Sequence, residues 1–181
     1  MLRNKVCYSF IVTLVFIVLS PIASKAENIS KSPWALEIVS ADKNELSKTN
    51  DHPIHPIKKI DVILRNISET PQRIWKESNS WGYSVLYFEV VDEKSGKNYI
   101  RKKPRNWRKN FPKFLTIDAG QSLVYNISFM NEDWDIFSSF FKLKNFNIQA
   151  ILDIPEDSQA KQYGVWTGTV KSNVLKFEII N

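Results

Sequence analysis

The sequence predicts an all-β protein, an antiparallel β-sandwich of about eight or nine strands. Short segments in which apolar and polar residues alternate recur along the chain, as they do in strands with one buried face. Turn-favouring residues (Asn, Asp, Ser, Gly and Pro) separate these segments at short intervals. No segment has the length and periodicity of a long amphipathic helix. Together these observations favour two packed layers of antiparallel strands.

Ten segments are candidates for these strands. The strongest, at residues 83–91, places Leu86, Phe88 and Val90 on one face and Glu89 on the other. Residues 131–141 are ambiguous, since an aspartate there could cap a short helix. In chain order the candidate segments are 34–39, 57–66, 72–75, 83–91, 99–103, 114–117, 122–130, 146–152, 163–170 and 174–180.

The N-terminus has the pattern of a cleaved export signal. Arg3 and Lys5 precede an apolar stretch at residues 6–19, which is shorter than the roughly 20 residues of a membrane span. Small residues at Ser24 and Ala26 fit the −3 and −1 positions of a signal-peptidase site. We therefore expect residues 1–26 to be a signal peptide cleaved after Ala26. An uncleaved N-terminal anchor is the alternative.

The mature chain, residues 27–181, is expected to form a single domain with no membrane span. The only cysteine, Cys7, lies in the signal, so disulfides, thiol nucleophiles and thiolate metal sites are excluded from the mature protein. Its 155 residues are enough to bury a self-sufficient core. The whole chain has 25 basic and 19 acidic residues, and loss of three basic residues with the signal leaves +3.

The positive charge is concentrated in residues 94–113, which hold nine basic residues and no acidic one. The rest of the mature chain is then at −6, with 13 basic and 19 acidic residues. Such a run, interleaved with Trp107 and Phe111, can hold an anion while a ring stacks on a base or sugar. The alternative is a solvated edge strand whose lysines discourage pairing with another chain. The candidate partner-binding residues are Arg101, Lys102, Lys103, Arg105, Trp107, Arg108 and Lys109.

Three other patterns give weaker site hypotheses. Six tryptophans are many for this length, and Trp81 and Trp107 are expected to be partly exposed, whereas most of the six should fill the core. His52 and His55 lie three residues apart but lack the third ligand that zinc needs. The oxygen-rich segments 131–135 and 153–157 would hold calcium only if they met in space, and otherwise cap helices or form turns.

A family resemblance rests on two stretches. Ile60-Asp-Val-Ile-Leu-Arg-Asn-Ile-Ser, followed by Leu115-Thr-Ile-Asp-Ala-Gly-Gln and a strand ending near Trp134, resembles the immunoglobulin-like sandwich domains of exported bacterial proteins. The same order of strands and turns is similar to that of the bacterial intracellular proteinase inhibitor family. The resemblance covers residues 57–134 and implies an immunoglobulin-like β-sandwich. No reactive-site residue of that family can be matched here, and an export signal departs from an intracellular inhibitor.

We expect an exported, periplasmic or secreted, non-catalytic binding or accessory domain without a cofactor or metal. Its partner would be a protein, an acidic glycan or an anionic surface, and not a specific nucleic acid. A protease-inhibitor-like module and a glycan-binding sandwich that uses exposed tryptophans are the alternatives. A hydrolase whose triad assembles in space around a histidine is a further alternative.

Overall fold

The structure, a computed structural model, describes residues 32–40, 59–143 and 145–178. Ten antiparallel strands account for just over half of these residues. The all-β class is thus confirmed, and the described residues contain ten strands where eight or nine were expected. The predicted signal peptide, its cleavage after Ala26, and both histidines lie outside the described residues. The strands are β1 (Trp34–Ser40), β2 (Lys59–Asn66), β3 (Gln72–Trp75), β4 (Leu86–Asp92), β5 (Gly96–Lys102), β6 (Phe114–Ile117), β7 (Ser122–Ser128), β8 (Trp134–Asp135), β9 (Asn145–Ile154) and β10 (Gly168–Glu178).

The strands form three sheets. A three-stranded sheet has the order β1-β2-β7, and a five-stranded sheet has the order β10-β9-β4-β5-β8. Strands β3 and β6 form a separate two-stranded ribbon. Helical structure is limited to α1 (Ser80–Tyr83), α2 (Ser158–Tyr163) and a 3-10 turn (Phe140–Lys142) among the described residues. None of these helices has the length and apolar character that crossing a membrane requires.

Alternation along the strands gives both larger sheets an apolar face. In β2 the buried side chains include Ile60, Val62 and Leu64, and in β4 they include Phe88 and Val90. These residues belong to one continuous hydrophobic core. Burying a side chain of this size contributes about 1.5–3 kcal/mol, so the core is the main stabilising term.

A bulge in β10 joins the two larger sheets. The register shifts between Lys171 and Val174, so Ser172 and Asn173 together lie opposite Ala150 of β9. The buried Ser172 hydroxyl accepts a hydrogen bond from the Ala150 N–H at 2.9 Å. The Asn173 carboxamide accepts from the Ile38 N–H of β1 at 2.8 Å and donates to the Ile38 carbonyl at 3.1 Å. The Asn173 side chain therefore satisfies both backbone groups of Ile38 at the edge of β1, as a neighbouring strand would.

The C-terminal prediction needs two corrections. Residues 163–170 are not a strand from their start, because Asp157 caps helix α2 by accepting from the Ala160 N–H at 2.6 Å. Gly164, in the left-handed conformation with φ 62°, ends that helix. Residues 163–170 and 174–180 were also predicted as two separate strands, but Gly168–Glu178 form one bulged strand, β10.

The middle of the chain differs at three boundaries. Strand β4 begins at Leu86 rather than Tyr83, because the buried Asn79 side chain accepts from the Gly82 N–H and starts α1. Strand β5 begins at Gly96, earlier than predicted. The segment 131–141 contains the two-residue strand β8, and its only helical residues belong to the 3-10 turn.

Candidate functional site

The loop at residues 103–113, hereafter the basic loop, connects β5 to β6 and is held at both ends and in the middle. The Lys103 N–H donates to the Asp133 carbonyl at 2.8 Å. Near the far end, the Lys113 carbonyl accepts from the Lys76 N–H and from the Asn79 side chain, at 2.9 and 2.8 Å. In the middle, the Asn110 carboxamide accepts from the Ser80 N–H at 3.0 Å and donates to its hydroxyl at 2.6 Å.

The two strand candidates, Arg101 and Lys102, are already engaged. The exposed Arg101 guanidinium lies 3.9 Å from the centre of the Tyr87 ring on the outer face of the sheet. Lys102 points the other way, and its ammonium is 2.9 Å from Glu77. Its side chain is 9% exposed and its ammonium lies 4.5 Å from the centre of the Trp134 ring. Lys102 is thus a structural cation, and it is a poor partner-binding candidate.

Arg105 and Trp107 converge with Lys102 on the buried ring of Tyr83. Trp107 meets that ring edge to face, with 5.5 Å between ring centres. Arg105 lies 5.3 Å from the centre of the Trp107 ring. This cluster fixes the first half of the basic loop while leaving Arg105 exposed and Trp107 half-buried.

The remaining cations of the basic loop are exposed and form no salt bridge within the described part of the chain: Lys103, Arg108, Lys109 and Lys113. Lys103 lies beside the acidic segment 132–135, because its backbone contacts Asp133. The local positive charge is therefore partly offset at the start of the loop. Its second half, from Arg108 to Lys113, has no acidic residue in its own sequence.

Phe111 is the aromatic side chain that the site prediction passed over. It is 69% exposed, whereas Trp107 is half-buried. The sequence placed both aromatics in the run but gave no way to choose between them. The choice depends on Tyr83, which receives Trp107 but lies in another part of the sequence.

The tryptophans divide into two groups. Trp34, Trp75 and Trp134 are buried at 2–3% exposure. Trp81 and Trp107 are half-buried, which confirms the expectation that they would be partly exposed, and Trp166 joins them. Trp81 packs on Trp75, with ring centres 6.0 Å apart.

Trp81 also lines an open cleft of about 320 Å³. Two exposed carboxylates, Asp153 and Asp157, line the same cleft. Each already has one partner: Asp153 accepts from the Thr169 hydroxyl at 2.7 Å, and Asp157 caps α2. The other lining residues are Trp75, Ser80, Ser84, Val85 and Pro155.

A second cleft, of about 270 Å³, lies at the end of β4 beside Asp92 and Lys142. Hydrogen bonds from the backbone and hydroxyl of Ser95 lower the pKa of Asp92. No residue of the basic loop lines either cleft. In the described ranges, no group of three His, Cys, Asp or Glu side chains is placed to hold a metal ion.

Two further titratable groups have shifted pKa values. A hydrogen bond and ion pair with Glu89, at 3.0 Å, raise the pKa of Lys97, which belongs to the basic run on β5. Burial, assisted by the charge of Glu77, raises the pKa of Tyr125 well above its ordinary value. Among the described residues, Lys97 and Lys102 are the two lysines that form a salt bridge with a carboxylate, so neither contributes a free charge to the basic surface.

The chain was compared with protein-family models, with curated proteins and with solved structures, and none of the three comparisons finds a match.

Proposed function

We propose that this protein is an exported, non-catalytic binding domain that contacts an anionic partner through the basic loop. The observation that carries the proposal is the loop's combination of order and charge. Its cations project from a loop that hydrogen bonds hold at Lys103, Asn110 and Lys113, so little backbone freedom is lost when they bind. If the run were only a solvated edge strand and its loop, the positive charge would suffice and these hydrogen bonds would not be required.

The finer fold assignment, an immunoglobulin-like sandwich, is part of this proposal. The order β10-β9-β4-β5 corresponds to G-F-C-C′ of such domains, and β1-β2-β7 corresponds to A-B-E. The shared hydrophobic core supports packing of the two sheets on one another. In this arrangement the basic loop follows the C′ strand.

Export rests on the N-terminal sequence alone. Mass spectrometry of the protein purified from an exporting bacterial host tests it directly. A measured mass that matches a chain beginning at Glu27, for protein recovered outside the cytoplasm, supports export with cleavage after Ala26. A full-length protein retained in the cytoplasm would overturn this part of the proposal.

Binding is tested on an immobilised polyanion across a salt series, because charge-based contacts weaken as salt rises. The test variant reverses Arg108, Lys109 and Lys113 to Glu, three exposed cations with no salt bridge to lose within the described residues. The control variant reverses the same number of exposed cations elsewhere: Lys161, Lys171 and Lys176. Both triple variants change the net charge equally.

We expect the variant with Arg108, Lys109 and Lys113 reversed to elute at clearly lower salt than the control variant. Equal elution of the two variants would mean that net charge alone causes retention. The basic loop would then be a solvated connection, and the proposal would fail.

The cleft beside Trp81 favours a second candidate function, glycan binding. A half-exposed indole next to two carboxylates and the hydroxyls of Ser80 and Ser84 offers a stacking surface with hydrogen-bonding groups around it. Titration with soluble glycans, followed by tryptophan fluorescence, tests this. A response that Trp81→Ala removes and Trp107→Ala retains would support it, and no response to any glycan would dismiss it.

A further inference from the structure

Phe111 is exposed because the fold holds it outside the core. At 69% it has the largest exposed fraction among the large hydrophobic side chains in the described ranges. Its neighbour Asn110 is fixed by two hydrogen bonds to Ser80, and the carbonyl of Lys113 is fixed by two more. The ring therefore sits at a constrained position of the basic loop rather than on a free tail. Exposing such a ring forfeits its burial energy, which a partner surface can restore.

Cations flank the ring on both sides. Arg108 and Lys109 precede Phe111 and Lys113 follows it, all three exposed and without a salt bridge in the described part of the chain. The acidic segment beside Lys103 lies at the other end of the basic loop. The apolar tip and the unpaired positive charge thus coincide in the half of the loop from Arg108 to Lys113.

The shape of this region fits a flat partner better than a small ligand. Neither cleft described above includes a residue of the basic loop, whereas Phe111 and the cations on both sides of it are exposed side chains. A bilayer with anionic lipids offers a broad negative surface over a shallow apolar layer. Aromatic side chains enter that layer from the interface while basic residues stay at the headgroups.

We propose that the partner is an anionic lipid bilayer, on which the basic loop docks with Phe111 in the headgroup region. This inference rests on the proposed function, namely that the basic loop binds an anionic partner. Arg108, Lys109 and Lys113 then lie against the lipid phosphates. Each cation near such a surface strengthens binding by about fivefold, and burying one aromatic ring adds about tenfold. Binding is reversible, because one ring and a few charges are far weaker than a membrane span.

The experiment is sedimentation with vesicles of phosphatidylcholine alone or with phosphatidylglycerol added. The purified protein is used in the form that expression yields, and its mass shows whether residues 1–26 remain. Zwitterionic vesicles report any binding that a retained apolar segment causes. Phe111→Ser removes the ring without changing charge, and Val174→Ser is its control because Val174 is an exposed apolar side chain on β10. The two triple charge variants complete the set.

The inference expects binding to the anionic vesicles only, about tenfold weaker for Phe111→Ser and lost when the three loop cations are reversed. Val174→Ser and the control charge variant should bind like the original protein. Vesicle binding that Phe111→Ser leaves unchanged, or binding that is as strong to zwitterionic as to anionic vesicles, would overturn the inference. Loop-dependent polyanion binding without vesicle binding would overturn it while leaving the proposed function intact. Far-UV circular dichroism checks that every variant is folded.

Discussion

Asn66 provides the sharpest stability test, because its side chain uses all of its hydrogen-bonding capacity. The residue is fully buried at the end of β2. Its amide nitrogen donates to the carbonyls of Thr70 and Ile117 at 2.8 and 2.9 Å. Its oxygen accepts from the backbone N–H and the hydroxyl of Ser68 at 3.0 and 2.7 Å. One carboxamide thereby fastens the turn after β2 to strand β6.

The expected cost of Asn66→Ala follows from these four bonds. At about 1 kcal/mol net per hydrogen bond, the loss is about 4 kcal/mol. The partners near the surface regain water, so we expect about 3 kcal/mol, with the largest single share from the buried bond to Ile117. That corresponds to a lowering of Tm by about 6–12 °C in a domain of this size.

Asn126 is a matched control, since both asparagines begin an Asn-Ile-Ser sequence. Asn126 is exposed, and within the described residues its side chain makes one hydrogen bond, which it donates to Asp61 at 2.8 Å. Asn126→Ala should therefore change the free energy of unfolding by no more than about 0.5 kcal/mol. Urea titration of the purified proteins measures both changes.

Asn66→Asp separates hydrogen bonding from packing. It keeps the side-chain shape and the oxygen that accepts from Ser68, but it puts a second oxygen in place of the amide nitrogen, facing the carbonyls of Thr70 and Ile117. Burial and those carbonyls should raise its pKa, so its deficit relative to Asn66 should shrink as the pH falls. Equal, small costs for alanine at Asn66 and Asn126 would refute the reasoning.

Two further predictions concern charged groups. Glu77→Gln should destabilise the protein by about 1 kcal/mol, because it leaves the nearly buried Lys102 ammonium without its carboxylate. Lys102→Met removes that ammonium and should cost less. Urea midpoints of the two variants test the order, and a larger loss for Lys102→Met would contradict it. The lowered pKa of Asp92 means that its ionised form stabilises the fold above the unfolded-state value of about 3.9. That contribution should be lost as the pH falls through the lower folded-state pKa, so Asp92→Asn should cost stability at pH 7 but progressively less below about pH 4; a pH-independent difference would contradict the assignment.

Alternation of residue type was sufficient to predict the strands that have one apolar face. Strands β3 and β6 begin and end at the predicted residues, and β4 buries the predicted side chains, Leu86, Phe88 and Val90. The pattern works best for β4, where every second side chain is buried in the core along the whole strand. It fails at α2 and at the bulge in β10, where side-chain hydrogen bonds decide the backbone path.

The basic loop was recognisable from its composition, but the roles of its residues were not. Lys102 belongs to the same run as Lys109, yet it is nearly buried because Glu77, Tyr83 and Trp134 surround it. Those partners lie far away in the sequence. Long-range contacts of this kind leave no local signal, and so the sequence could not rank Phe111 above Trp107.

The contact between Asn173 and Ile38 means that a single rotatable side chain closes the gap between two sheet edges. Both backbone polar groups of Ile38 depend on that one carboxamide. A rotamer change at Asn173 would release them together, whereas a strand partner would have to separate over several residues. The Ile38 amide should therefore exchange its hydrogen through a local opening and report on this seam independently of global unfolding. The edge of β1 that is uncovered in that event is the place where a strand from another chain could add.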